Sequence, residues 1–273
     1  SLHDALPIYF MHQNHFGALL ADDMGLGKTI QTLAHLQVLA STYQVERSAK
    51  AQLGLTSNGE ALEVPAVDTT TLASDGRPLA PVTTKMGPIL IITPKSLLYN
   101  WMSESAKFCP TMKTALYSGL SRSKTLSHFD ELDVVVMSYG TMRNDVELLR
   151  EYKFNCVVLD ESQAIKNPAS KVTKAACLLK AKNKLCLSGT PLQNNTFDIY
   201  AQMNFLNPGM LGSVEFFKHE FSMPIDKFGE KEQKDHLRKL LFPFILRRTK
   251  EQVAKDLPDK TETILYCEME DEQ

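Results

Sequence analysis

Short apolar runs alternate with helical patterns along most of the chain, and that rhythm predicts a three-layer α/β fold, a parallel sheet with helices on both faces. Three observations carry the prediction. The apolar runs are rich in Val, Ile and Leu with little alternation, as strands buried on both faces should be. Apolar residues at helical spacing fill most of the stretches between them. The chain has 273 residues, 43% hydrophobic and 23% charged, enough for one large domain or a domain with an appendage without disulfide staples.

The elements follow in order. Phe16–Ala21 is the first predicted strand, and a helix over Lys28–Tyr43 presents Ile30, Leu33, Ala34 and Leu36 on a broad face. Ile89–Thr93 is the next strand. In the helix Ser96–Lys107, Leu97 and Trp101 stand at i, i+4, which favours a core position for the Trp101 ring. Strands are predicted at Thr114–Tyr117, Val134–Ser138, Cys156–Asp160 and Leu185–Ser188, with helices over Tyr139–Arg150 and Ser170–Lys180.

Two regions break the rhythm. Ser48–Gly87 is rich in Thr, Ser, Gly, Pro and Ala and lies in a stretch, Gln44 to Leu98, without an aromatic residue. It exceeds the ~12–15 residues expected of a connection inside a compact domain, so a flexible surface insertion is expected there. Beyond Pro208 strands are expected to stop. Ser213–Lys255 reads as helices through Phe216, Phe217 and Phe221, then Leu237, Leu240, Leu241 and Ile245. The expected organisation is a truncated or non-native segment over 1–15 and an α/β lobe over 16–208 with the insertion at 48–87. A helical protrusion with a closing segment follows over 209–262, then a linker over 263–273.

Lys and Arg number 30 against 32 Asp and Glu, a net charge of −2, so any nucleic-acid contact must come from a local patch. Five cysteines with no C-x-x-C spacing imply a reducing compartment. The longest apolar stretches, Ile89–Ile92 and Val134–Met137, are too short to span a bilayer. No basic segment followed by an apolar core opens the chain. Cytoplasm, as in a bacterial nucleoid, or a nucleus is the expected location, with no membrane partner.

The segment richest in chemistry is Asp22-Asp23-Met24-Gly25-Leu26-Gly27-Lys28-Thr29. It follows a predicted strand and opens a predicted helix, the context a phosphate-binding loop requires. Glycines let backbone N–H groups face phosphate oxygens, Lys28 would reach the β- and γ-phosphates, and the Thr29 hydroxyl would bind Mg²⁺. One departure stands out: the first Gly of G-x-x-x-x-G-K-[ST] is Asp22.

The run Cys156-Val157-Val158-Leu159 delivers Asp160 and Glu161 at a strand's C-terminal end, where open α/β sheets bind ligands. Asp160 would hold Mg²⁺, and Glu161 is placed to polarise an attacking water. Ser188-Gly189-Thr190-Pro191 offers two hydroxyls and a tight turn at the same edge; a plain strand-ending turn is the bland alternative.

Together these segments resemble the Swi/Snf-type DNA translocases, helicase-like ATPases of superfamily two. The resemblance lies in Ala21–Thr29, Asp160-Glu161-Ser162-Gln163 with Lys166-Asn167, and Ser188–Asn194. Ile92–Leu98 with Asn100-Trp101 is similar to the family's motif Ia, Ser138-Tyr139 to motif Ib, and Pro243–Lys250 with Leu257-Pro258 to the segment closing its first lobe. An acidic residue at position 22 is usual in that family. The resemblance implies a RecA-like P-loop lobe that binds ATP with Mg²⁺ and acts on double-stranded DNA. It implies phosphate contacts at Lys95, Ser96, Ser138 and Tyr139, and coupling of ATP state to DNA grip through Gln163, Ser188, Gly189 and Thr190. It further implies a second RecA-like lobe carrying an arginine finger. No counterpart of that lobe is legible in this sequence, so little turnover is expected of the chain alone. Nor is there an adenine-recognising glutamine segment upstream of Phe16, Gln13 being too close to the phosphate loop.

Two other functions fit less well: a DEAD-box-type RNA helicase lobe, and a nucleotide-dependent DNA-binding module without turnover. Between Ser162 and Thr190 stand six lysines and no acid: Lys166, Lys171, Lys174, Lys180, Lys182 and Lys184. They suit a DNA-phosphate patch or a solvated helix face.

Overall fold

A computed structural model describes residues 2–52, 85–120, 122–189 and 196–253. Its centre is a wholly parallel sheet. The strands are β1 (Ala18–Leu20), β2 (Lys85–Gly87), β3 (Ile89–Thr93), β4 (Thr114–Leu116), β5 (Val134–Ser138), β6 (Tyr152–Leu159), β7 (Lys180–Leu187) and β8 (Ile245–Leu246). They lie in the order β4-β5-β3-β6-β7-β1-β8. β2 pairs with β6 in the same register as β3: Lys85 faces Tyr152 as Leu90 faces Val157. The two are one strand interrupted at Pro88, which has no N–H to give; its carbonyl still accepts from Asn155 N–H at 3.3 Å.

Both faces of the sheet are buried around β3, β5 and the C-terminal halves of β6 and β7, which is why those stretches read as unbroken apolar runs. Leu20, Ile89, Ile91, Val134, Val136 and Val158 point to one layer, formed by α1 (Leu2–Gln13), α2 (Lys28–Gln52) and α3 (Leu98–Phe108). Leu19, Leu90, Ile92, Val135, Met137 and Val157 point to the other. That layer contains α5 (Tyr139–Asn144), α6 (Val146–Leu149), α7 (Lys171–Leu178) and α8 (Thr196–Leu206). A short α4 (Arg122–Leu126) follows β4.

Beyond Pro208 come α9 (Val214–Phe217), a π-helical stretch over Lys218–Lys227, α10 (Lys231–Leu241) and, after β8, α11 (Lys250–Val253). Phe217, Phe221, Leu237 and Leu241 bury this helical region against the second layer. The strands therefore do not stop at Pro208: Ile245-Leu246 joins the sheet parallel to β1, and two residues are too few for any periodicity to reveal.

Other boundaries shift as well. α2 runs on to Gln52 and β2 resumes at Lys85, so the expected insertion is narrower at both ends; residues 53–84 lie outside the described residues. The same is true of Thr190 and of 254–273. α5 and α6 divide the helix expected over Tyr139–Arg150 at Asp145. Residues 2–13 form a helix whose Ile8 and Met11 enter the core. No helix among the described residues is long and apolar enough to cross a membrane.

The six lysines do not make one patch. Lys166, Lys171 and Lys174 are exposed beside α7. Lys180, Lys182 and Lys184 lie on β7 and, with Lys153, line a cleft of about 580 Å³ at the opposite edge of the sheet from the phosphate loop. The Lys184 ammonium lies 4.6 Å from the Phe205 ring centroid, and burial pushes its pKa down.

The α1–α2 contact holds a pH-sensitive pair. The His12 and His35 rings stand 5.3 Å apart. Burial drives both pKa values down to about 4, helped at His12 by the charges of His15 and Lys182 and at His35 by His12. The unfolded chain takes up these protons first, so the contribution is complete above ~6.5 and lost as pH falls toward 4. For His35, 4% exposed, linkage gives a loss of about 2 kcal/mol by pH 5. Thermal melts should therefore show the wild type losing roughly 5 °C more than His35→Gln between pH 7.5 and 5. Parallel profiles would contradict this.

Candidate functional site

The C-terminal ends of the strands bring the sequence-predicted residues to one edge. Along the sheet order, β5 leads to Ser138-Tyr139, β3 to Lys95-Ser96, β6 to Asp160-Glu161, β7 to Ser188-Gly189 and β1 to the phosphate loop. Asp160 and Glu161 thus lie between the candidate DNA contacts and the loop.

The loop turns through Gly25 and Gly27, at φ 88° and 74°, a region open to glycine at little cost. It enters α2 at Lys28, so the positive end of a 25-residue helix faces the edge. The Lys28 ammonium folds back onto the loop and donates to the carbonyls of Asp22 (2.6 Å) and Asp23 (3.2 Å). Burial lowers its pKa, opposed by the charges of Glu161, Asp22, Asp160 and Asp23. The carboxylates of Asp160 and Glu161 therefore act on the lysine across the edge. Gly189 closes the other side. A Cβ there would stand 2.9 Å from Met24 Cγ and 3.9 Å from Lys28 Nζ, filling the cradle.

Asp22 explains the departure from the glycine pattern. Its carboxylate is fully buried and accepts from Arg248 at Nε, Nη2 and the backbone N–H. Arg248 also donates to Gln31 Oε1. Around this pair the closing segment zips onto the loop: Ala21 N–H donates to Leu246 O (2.7 Å), Asp23 N–H to Arg248 O (3.1 Å) and Lys250 N–H to Asp23 Oδ2 (3.1 Å). Asp23 lies in the expected nucleotide-binding loop. Its N–H and carboxylate are committed to the closing segment, because β8 lies alongside it. Of the paired arginines, Arg248 turns inward while Arg247 stays exposed.

Glu161 has left-handed backbone, φ 49°, unusual for a residue with a Cβ and a mark of functional turns. Gln163 Nε2 donates to its Oε2 at 2.7 Å, and Ser188 Oγ donates to Gln163 Oε1 at 3.3 Å. Ser188 and Gln163, both expected as coupling residues, thus form a hydrogen-bonded chain ending at Glu161. Asp160 Oδ2 accepts from Thr93 Oγ1 (2.9 Å) and Trp101 Nε1 (2.7 Å), and Oδ1 from Glu161 N–H (3.0 Å). Burial raises its pKa, opposed by the Trp101 and Thr93 hydrogen bonds.

Among the candidate DNA contacts, Lys95 and Ser96 are exposed. Ser138 caps α5, its Oγ accepting from Thr141 N–H at 3.1 Å. Tyr139 departs from expectation: it is buried, and its hydroxyl donates to Asp160 O at 2.7 Å, so its side chain is not a surface group. Thr93, Trp101 as a hydrogen-bond donor and Arg248 as the partner of Asp22 went unread in the sequence. Only the odd Asp22 signalled that a partner was needed.

The donor set suits a Mg-nucleotide. Backbone N–H groups of a glycine turn, a helix N-terminus and Lys28 suit phosphate, while the Thr29 hydroxyl and the half-buried Asp160 carboxylate are hard oxygen donors. Glycine at position 189 lets Met24 and Lys28 close on this turn, since a Cβ there would stand 2.9 Å from Met24 Cγ.

A profile of the SNF2-related domain matches residues 8–273. The TATA-binding protein-associated factor MOT1 of Saccharomyces cerevisiae is 34% identical over 97% of this chain and 13% of its own length. An uncharacterized ATP-dependent helicase of Mycoplasma genitalium, MG018, is 35% identical over 96% of this chain and 21% of its own. The SWI2/SNF2 ATPase core of Sulfolobus solfataricus in complex with dsDNA superposes with a TM-score of 0.70 at 36% identity, over 99% of this chain and 48% of that one. The chain therefore spans a quarter or less of these two curated relatives and about half of the solved core.

The Asp22–Arg248 pair yields a stability prediction. Arg248→Ala strands a fully buried carboxylate and should cost on the order of 3 kcal/mol in urea unfolding. Arg248→Lys should recover little, because an ammonium cannot reproduce the guanidinium fork. An unchanged unfolding midpoint in Arg248→Ala would contradict the assignment.

Proposed function

As the chain belongs to the SNF2-related domain family, we propose that it is the ATP-binding first lobe of a DNA-dependent ATPase and translocase that remodels protein–DNA complexes. The observation that carries this reading is the convergence on Lys28: a glycine loop on one side, Asp160 and Glu161 on the other. Gly25, Gly27 and Thr29 would offer loop and helix N–H groups to the phosphates, the Leu26 N–H, which donates to the Asp23 carbonyl at 3.3 Å, would turn to join them, and Met24 borders them. Lys28 would leave the loop carbonyls for the β- and γ-phosphates. Thr29 and Asp160 would hold Mg²⁺, which would supply positive charge to offset that of the phosphates. Glu161 orients water for attack on the γ-phosphorus and accepts its proton, the O–P bond to ADP breaking opposite.

Duplex DNA would lie across the β3 and β5 loops, with Lys95 and Ser96 on its phosphates and the Ser138 turn beside them. Through Ser188, Gln163 and Glu161, with Gly189 and Thr190, DNA grip would depend on nucleotide state. A second RecA-like lobe of the same parent would face this edge and carry the arginine finger. The solved core, about twice as long, supports that reading.

Two measurements test it. ATP binding by the chain should be lost in Lys28→Ala; equal affinity would overturn the phosphate-loop assignment. An arginine finger is worth on the order of 10³–10⁵ in rate, so phosphate release by these 273 residues should be barely detectable and little changed by duplex DNA at matched low salt. Robust DNA-stimulated hydrolysis would overturn the need for a second lobe.

A further inference from the structure

Asp160 is held from both faces of the sheet. From the α3 layer, Trp101 Nε1 and Thr93 Oγ1 both donate to Oδ2, at 2.7 and 2.9 Å. From the α5 layer, the Tyr139 hydroxyl donates to the Asp160 backbone carbonyl at 2.7 Å. The Trp101 ring is 1% exposed, so its position is fixed by packing as well as by the bond. With Glu161 N–H on Oδ1, three of the carboxylate's roughly four acceptor sites are taken, and the remaining one is on Oδ1.

The placement of the three side-chain donors, Thr93, Trp101 and Tyr139, matters as much as their number. None lies in the phosphate loop; each flanks a candidate DNA contact. Thr93 ends β3 just before Lys95 and Ser96, Trp101 lies in the first turns of α3 just after them, and Tyr139 directly follows Ser138. The turn Lys95–Leu97 is thus pinned to Asp160 at both of its ends.

We propose that Trp101 is a positioning residue: with Thr93 and Tyr139 it holds the Asp160 carboxylate in its metal-binding orientation and makes that orientation depend on how the β3 and β5 loops sit on DNA. The proposal rests on the nucleotide site described above. An indole N–H suits this task, being a single rigid donor on a ring too large to rotate within the core. A shift of the Lys95–Leu97 turn moves Thr93 or Trp101 and so turns Oδ2, and Oδ1 with it. This route to the metal site is separate from the Ser188–Gln163–Glu161 chain.

The test is a Mg²⁺ titration of fluorescent ATP-analogue binding by the 273-residue chain, with and without a short DNA duplex at low salt. Trp101→Phe keeps the ring in the core and deletes the donor. It should leave analogue binding in EDTA unchanged and raise the Mg²⁺ midpoint about tenfold, the usual effect of losing an outer-shell partner. Duplex DNA should move the midpoint severalfold in the wild type but not in Trp101→Phe or Tyr139→Phe. Thr93→Val should raise the midpoint as Trp101→Phe does, with little further change in the double variant, since both donors serve one oxygen. A merely structural role would lower the melting temperature and leave the Mg²⁺ midpoint in place.

Lys28→Ala separates this proposal from the reading beneath it. If Lys28→Ala binds like the wild type, the phosphate-loop reading fails and the positioning role falls with it. If Lys28→Ala loses binding while Trp101→Phe titrates like the wild type, only the positioning role is overturned. A wild-type midpoint indifferent to DNA overturns the coupling.

Discussion

Every strand of the sheet runs in the same direction and both faces are covered by helices, and that constraint decides where chemistry can occur. A strand buried on both faces has no free side chain along its length. The places where residues from different strands meet water are the two edges at which the strands begin and end, and the C-terminal edge gathers Lys28, Asp160, Glu161, Lys95, Ser138 and Ser188. Sheet order then spaces them: β6 separates the phosphate loop on β1 from the candidate DNA contacts on β3 and β5. Asp160 and Glu161 stand where both sets can be felt, and hydrogen bonds reach them from both sides.

The closing segment adds a second constraint. β8 pairs with β1, and Arg248 forks onto the buried Asp22 across 226 residues of sequence. A glycine at position 22 would free the loop; an aspartate fastens it to the chain that leaves the lobe. The loop's shape and the exit direction of the closing segment are thereby linked. Asp23 takes part in the linkage, its N–H and carboxylate both going to that segment.

What the sequence discloses follows from the range over which each feature is determined. Ile89–Thr93 and Val134–Ser138 coincide with β3 and β5 because short apolar runs bounded by polar turns suffice to mark a doubly buried strand. The N-terminal halves of β6 and β7 were illegible because Lys153, Asn155, Lys180, Lys182 and Lys184 stand among their apolar residues near the far edge, where water and a cleft accept them. α1 carries Pro7 and no clear apolar stripe, and it is held by contact with α2. The phosphate loop and the Asp160-Glu161 pair were legible since backbone geometry and adjacent residues define them. Trp101 reads as a core residue, which it is; its bond to Asp160 spans 59 positions and no local pattern announces it. Tyr139 shows the reverse: the motif suggests a surface contact, but burial turns its hydroxyl toward Asp160 and away from any surface.

The central claim is that the loop around Lys28 and the acids at the end of β6 form a single Mg-nucleotide site. A crystal structure of the chain with a non-hydrolysable ATP analogue and Mg²⁺ tests it most directly. The account predicts phosphates seated over the N–H groups of residues 25–29, the metal between Thr29 and Asp160, and the Lys28 ammonium moved from the Asp22 and Asp23 carbonyls onto phosphate oxygens. A nucleotide bound elsewhere, or one bound here with Lys28 still on those carbonyls and no metal at Asp160, would contradict it.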